Sequence, residues 1–156
     1  EPLWWGGGVR EREQGGAGAV ARNPRATAYL EAARRGARVR VLLDGYFDDP
    51  AEPNSNAALA AWLNVVAGLE GLDLVAHVGN PTGKGIHAKI VLVERADGTR
   101  WTHLGSLNGT EVASKLNREL AVQVDAPAVH DRLAAAFDAD WAVSERRTAW
   151  VPWVGR

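Results

Sequence analysis

Gly85-Ile86-His87-Ala88-Lys89-Ile90-Val91-Leu92-Val93-Glu94 is the stretch that decides how this chain folds. Its apolar run, Ile90 to Val93, is continuous, as in a strand covered on both faces. His87 and Lys89 stand at i and i+2, so a strand projects both from the same face. A histidine and a lysine at the end of such a strand are costly to bury without partners.

The residues that follow repeat the spacing. Arg95-Ala96-Asp97-Gly98-Thr99 sets Asp-Gly between two strand-like runs and predicts a hairpin turn. The returning strand, Arg100 to about Ser106, ends in Gly105-Ser106-Leu107-Asn108-Gly109, with Ser106 and Asn108 again at i and i+2. A hairpin of this length delivers Ser106 and Asn108 beside His87 and Lys89. Residues 109 to 117 form a polar connection, and Asn117-Arg118-Glu119 opens a further strand that runs to Val124.

Taken in order, these residues resemble the phospholipase D-like superfamily, the HKD phosphodiesterases. Its motif reads H-x-K-x4-D, then G-S-x-N, then a glutamate near the start of the next strand. The matching residues are His87, Lys89, Glu94, Gly105, Ser106, Asn108 and Glu119. Glu94 departs from the usual aspartate, which keeps the charge and lengthens the reach.

Upstream of the motif, helix and strand alternate. Asn23-Pro24 starts a helix with a capping asparagine and a proline at the first helical position, and Gly36 stops it. Arg38 to Asp44 is a strand, and Gly45 to Pro53 a loop whose Asp48 and Asp49 read as a solvated turn. Asn54-Ser55-Asn56 caps a second helix, with Leu59, Trp62, Leu63, Val66 and Leu69 on or near one face and Gly71 at its end. Leu72 to Val78 is a strand. Gly79 to Gly85 lacks the spacing of a phosphate-binding P-loop and leads into a strand instead of a helix. It reads as a flexible lip that brings Lys84 near the motif.

Downstream, Ala126 to about Val143 is a helix with Val129, Leu133, Phe137 and Trp141 along one stripe. Residues 144–156 read as a tail. Residues 1–22 read as irregular, so the strand that opens the family's repeat is not expected here, and a pairing position in the sheet would stay open. Trp4 and Trp5 are candidate substrate contacts at a site rim, or anchors pinning a flap to the surface. The expected architecture is a single α/β domain over 1–156: a mixed β-sheet flanked by helices on both faces, as in a phospholipase D-like repeat.

Composition adds bounds. The chain has 156 residues, 46% apolar and 24% charged, as in ordinary globular domains. A net charge of -1 exerts no global pull on nucleic acid or anionic membrane. The lack of cysteine removes disulfides and thiolate metal sites. There is neither a targeting signal nor a run apolar enough to span a bilayer, so a soluble domain is expected, in a compartment left open. With no methionine, even at position 1, the chain is expected to be a processed or excised piece, the C-terminal half of a longer protein.

The resemblance implies chemistry at phosphorus without metal or cofactor. His87 would attack and form a phosphohistidine, oriented by Glu119 on its other ring nitrogen. Lys89 and Asn108 would hold the phosphoryl oxygens, and Ser106 would donate to the phosphate or steady the loop. The family takes its leaving-group acid from a second copy of the motif. This chain has one His-x-Lys, and His77, His103 and His130 lie outside any second copy. The missing half-site would come from an absent N-terminal repeat or from a second subunit in a homodimer. The substrate would be a phosphodiester, phospholipid or nucleic acid.

Plainer readings stand beside these. Alone, His87 is a core histidine, Ser106 and Asn108 a turn, and Glu119 a strand-edge charge. Their joint order is what favours a site. The alternative of another class is a catalytically incomplete domain that serves dimerisation or ligand binding in a larger protein.

Overall fold

The strand Val39–Asp44 sends apolar side chains into two separate cores, and this sets the layering. Val39, Val41 and Leu43 join one buried cluster with residues of two helices, while Leu42 packs on the opposite face with Ile86 and Phe137. Every second residue of a strand faces the same side, so one apolar run serves both layers. The computed structural model describes residues 2–6, 23–52, 54–106, 108 and 118–146.

Chain order is β1 (Pro2–Gly6), α1 (Pro24–Arg34), β2 (Val39–Asp44), α2 (Asn56–Glu70), β3 (Leu74–Gly79), β4 (Lys89–Glu94), β5 (Arg100–Gly105), β6 (Ala121–Val124), α3 (Pro127–Ala142) and β7 (Glu145–Arg146). The strands form one mixed sheet in the order β6-β5-β4-β1-β2-β3-β7. β1, β2 and β3 are parallel; β4, β5 and β6 form an antiparallel meander joined to β1 through β4. α1 and α2 cover one face and α3 the other, which is the architecture the sequence implies.

Local chemistry explains the helix ends. Asn23 caps α1 by accepting from the Arg25 and Ala26 amides at 3.0 and 3.3 Å. Ser55 caps α2 by accepting from Ala58, and Gly71 closes it in the left-handed conformation, φ +66°. Inside α2, the buried Asn64 side chain binds both the Ala76 carbonyl, at 2.8 Å, and the Ala76 amide, at 2.9 Å. It thereby satisfies backbone groups of β3 on the side turned away from β2, where an edge would otherwise be left bare.

Several expectations are corrected. Residues 2–6 are a strand, central in the sheet, where the sequence reading had irregular chain and an open position. The run Leu3-Trp4-Trp5 is short and set among glycines, so it shows no periodicity. A central strand needs none, and tryptophan is a good strand former. The start of the tail, Glu145–Arg146, pairs antiparallel with β3. Leu69 is 83% exposed and does not belong to the buried face of α2, which is carried by Leu59, Ala60, Leu63 and Ala67.

Nor is Asp48 a solvated turn residue. Its carboxylate accepts from the Asn56 amide at 2.6 Å and the Ala57 amide at 2.9 Å, an anionic cap on the first turn of α2. Burial raises its pKa, opposed by those two amides. On α3 the buried positions are His130 and Phe137, while Val129 is exposed. A spacing of four drifts by about 40° per step, so Val129 stands about 80° from Phe137 and His130 only about 20°. Among the described residues, no helix is long and apolar enough to cross a membrane.

Candidate active site

The parallel strands place their C-terminal ends together, at Gly6, Asp44 and Gly79. Ligand sites in α/β sheets lie at this end. β4 runs the other way, with Lys89 opposite Gly6, so its beginning arrives at the same end. β5 returns there with Gly105, which pairs with Ala121 at the start of β6. The register thus brings His87, Lys89, Ser106, Asn108 and Glu119 to one end of the sheet, although they are spread over three separate stretches of chain.

His87 is exposed in the segment leading into β4. Lys89 is 7% exposed and turns back along the chain, its Nζ donating to the His87 carbonyl at 2.6 Å. Burial lowers the pKa of Lys89; Glu119 and then Asp44 act against that shift by attraction. The Ser106 hydroxyl donates to the Glu119 carboxylate and accepts from the Leu120 amide at 3.1 Å. Asn108 is half-buried two residues beyond Ser106. Ser106 is thus one partner of the Glu119 carboxylate, the group that the family resemblance sets on the ring of His87.

Glu94 lies at the other end of β4, five residues and about 17 Å along an extended strand from Lys89. It pairs with Arg100 across the hairpin at 3.0 Å, and Arg100 also meets Asp131 of α3 at 3.0 Å. The longer carboxylate serves this clasp and is remote from His87. Lys84 is exposed in the loop before the motif, its amide donating to the Thr82 hydroxyl at 3.3 Å. The side chains of Trp4 and Trp5, the 109–117 connection with Lys115, and the tail tryptophans Trp150 and Trp153 lie outside the described residues.

One residue of this neighbourhood escaped the sequence reading. Asp44 is 1% exposed at the end of β2, and its carboxylate accepts from the Ile86 amide at 2.6 Å and the Phe47 amide at 2.7 Å. Tyr46 and Phe47, exposed and packed edge to face with centroids 4.7 Å apart, follow it after Gly45. The signal available in sequence was a carboxylate closing an apolar strand at the end where ligands bind. The other histidines are spoken for structurally or lie elsewhere. His77 stacks on Trp141, with ring centroids 3.7 Å apart, and burial lowers its pKa. His130 is buried in α3. Among the described residues no three His, Asp or Glu side chains gather as ligands for a metal ion.

The family model described as "Cardiolipin synthase, PLD-like domain" matches residues 21–141. The fold is similar to that of a phospholipase D family member, Nuc from Salmonella typhimurium, with a TM-score of 0.64, 16% identity, and coverage of 94% of this chain and 82% of that one. It is also similar to NucT from Helicobacter pylori, with a TM-score of 0.62, 14% identity, and coverage of 93% and 80%. At such identities the two solved structures speak to fold alone. No curated protein matches the sequence.

Proposed function

The chain belongs to the phospholipase D-like family, and on that premise we propose that it is a metal-independent phosphodiester hydrolase or transferase working through a phosphohistidine at His87. The observation that carries this reading is the convergence, at one sheet end, of exposed His87 with buried Lys89 and the Ser106–Glu119 pair.

In the first step a ring nitrogen of His87 attacks phosphorus, and the bond from phosphorus to the leaving oxygen breaks. That oxygen takes a proton from an acid. In the second step water, or an acceptor alcohol, attacks phosphorus, loses its proton to the same group and frees the histidine. Lys89 and Asn108 hold the phosphoryl oxygens and offset the charge that builds there. Glu119 steadies the imidazole as charge develops on it, and Ser106 holds Glu119 in place. The acid is supplied by a second half-site, from a preceding repeat or from a second copy of this chain.

Hydrolysis of bis-(p-nitrophenyl) phosphate in the presence of EDTA tests the reading, with wild type compared against His87→Ala. Turnover that is lost in the variant supports it. Turnover that survives His87→Ala, or that stops on chelation, overturns it. The single His-x-Lys favours one other reading, a catalytically incomplete domain for dimerisation or ligand binding, and silence from both proteins would point there. Phospholipid and nucleic acid both offer the phosphodiester. We favour a phospholipase D-type substrate over an endonuclease role, because the net charge of -1 provides little attraction for a polyanion.

A further inference from the structure

Asp44 does more than end a strand. Its two carboxylate oxygens take two different backbone amides, Ile86 on Oδ1 and Phe47 on Oδ2, and its carbonyl accepts from the Asn56 side chain at 2.8 Å. One buried residue thus ties the end of β2 to the aromatic loop after it, to the start of α2, and to the segment whose next residue is His87. A carboxylate can accept on both oxygens. An asparagine amide accepts on one and presents a donor on the other, facing an N–H. The fit is close as well: a Cβ on Gly85 would stand 2.8 Å from Asp44 Oδ1 and 2.9 Å from the Phe47 ring.

The same carboxylate attracts Lys89, which is buried at the site. Among the described residues, Glu119 from the approach to β6 and then Asp44 from the end of β2 attract the Lys89 ammonium, which donates to the His87 carbonyl on its own segment. Glu119 is half-buried, whereas Asp44 is screened from water almost completely. A charge in such surroundings acts more strongly than one in solvent.

We propose that Asp44 is a positioning residue of this site, its buried carboxylate fixing the main chain beside His87 and acting electrostatically on the Lys89 ammonium. Its effect on catalysis rests on the phosphodiesterase reading; its effect on Lys89 does not.

The chain has three lysines, Lys84, Lys89 and Lys115, so side-chain NMR can follow the titration of Lys89 separately. Wild type, Asp44→Asn, Asn56→Ala and Glu119→Gln are compared. Asp44→Asn should move the Lys89 midpoint down by about half a pH unit or more. It should lower kcat on the order of tenfold, with the alkaline limb of the rate profile shifting in step. Asn56→Ala loosens the same corner without removing charge and should leave the midpoint in place. A fall in activity with no change in the Lys89 midpoint would mark Asp44 as a purely structural brace and overturn the proposal. Should Asp44→Asn fail to fold, Glu119→Gln decides. With Asp44 still present Lys89 should remain charged at neutral pH, and its discharge there would overturn the proposal. Because the titration needs no turnover, it decides the coupling of Asp44 to Lys89 even where the chain by itself, as half a site, turns nothing over.

Discussion

The Ser106 hydroxyl donates to the Glu119 carboxylate, closing the end of β5 onto the approach to β6. The main chain makes the same closure, since the Ser106 amide donates to the Leu120 carbonyl at 2.9 Å. Ser106→Ala keeps the backbone bond and removes the hydroxyl. Loss of the hydroxyl's two hydrogen bonds, to Glu119 and from the Leu120 amide, predicts about 1–2 kcal/mol of destabilisation in urea titration. Loss of a group that fixes a charged site residue predicts a fall of about tenfold to a hundredfold in phosphodiester turnover. Ser106→Thr, which restores the hydroxyl, should recover most of both. Full turnover in Ser106→Ala would reduce the pair to a structural clasp.

Lys89 gives a pH prediction with a definite sign. Burial lowers its pKa below 10.5, with Glu119 and then Asp44 offsetting part of that shift. The folded chain therefore releases this proton at a lower pH than the unfolded chain does. Between the two values the unfolded state binds more protons, so stability rises with pH across that window. Below the folded value the full cost of the buried ammonium is present. Lys89→Met should thus be at least as stable as wild type near neutral pH, and its advantage should shrink as pH climbs towards 10.5. It should also lose turnover. Denaturant titrations at several pH values check the first point, and an advantage that grew with pH would refute it.

Glu94→Asp restores the residue usual in the family and shortens the side chain by one methylene. The structure places this position in a half-buried pair with Arg100 that solvent still reaches, at the end of β4 remote from His87. Pairs within reach of solvent are worth about 0–1 kcal/mol, so the substitution should change stability by no more than that. Turnover should stay within about twofold of wild type. A large loss of activity would show that the clasp from β4 through Arg100 to Asp131 controls the other end of the strand.

The parts of this fold legible in sequence are those where local chemistry and tertiary need coincide. Asn23-Pro24, Ser55 and Gly71 mark helix ends because the groups they satisfy are within a few residues. The hairpin at Asp97-Gly98 is of the same kind. β1 was illegible because its five residues gain strand character only from partners on β2 and β4, distant in sequence. The stripe on α3 was misread because a spacing of four was allowed to accumulate over three turns, so Val129 was placed where His130 sits. At the candidate site, His87, Lys89, Ser106, Asn108 and Glu119 were singled out by the family resemblance that their ordered spacing carries. Asp44 carries no such spacing. Its importance lies in two amides, one three residues away and one 42 residues away, and only the folded chain brings the second to it.

Gly83 and Gly85 offer a controlled comparison of what the Asp44 corner tolerates. Both hold positive φ, +71° and +82°, so an alanine at either bears a similar backbone penalty of about 1–2 kcal/mol. They differ in surroundings. A Cβ at Gly83 meets nothing within 4 Å, whereas one at Gly85 comes within 2.8 Å of Asp44 Oδ1 and 2.9 Å of the Phe47 ring. That oxygen is not a loose side-chain tip, since it is held by the Ile86 amide at 2.6 Å. The backbone terms nearly cancel between the two variants, leaving the contact. Gly85→Ala should therefore be less stable than Gly83→Ala by roughly 1–3 kcal/mol in matched urea titrations. It alone should also depress phosphodiester turnover, because relief of the clash moves the chain next to His87. Equal stability in the two variants would mean that Asp44 and Phe47 shift aside freely, and a corner that soft could not fix the segment that carries His87.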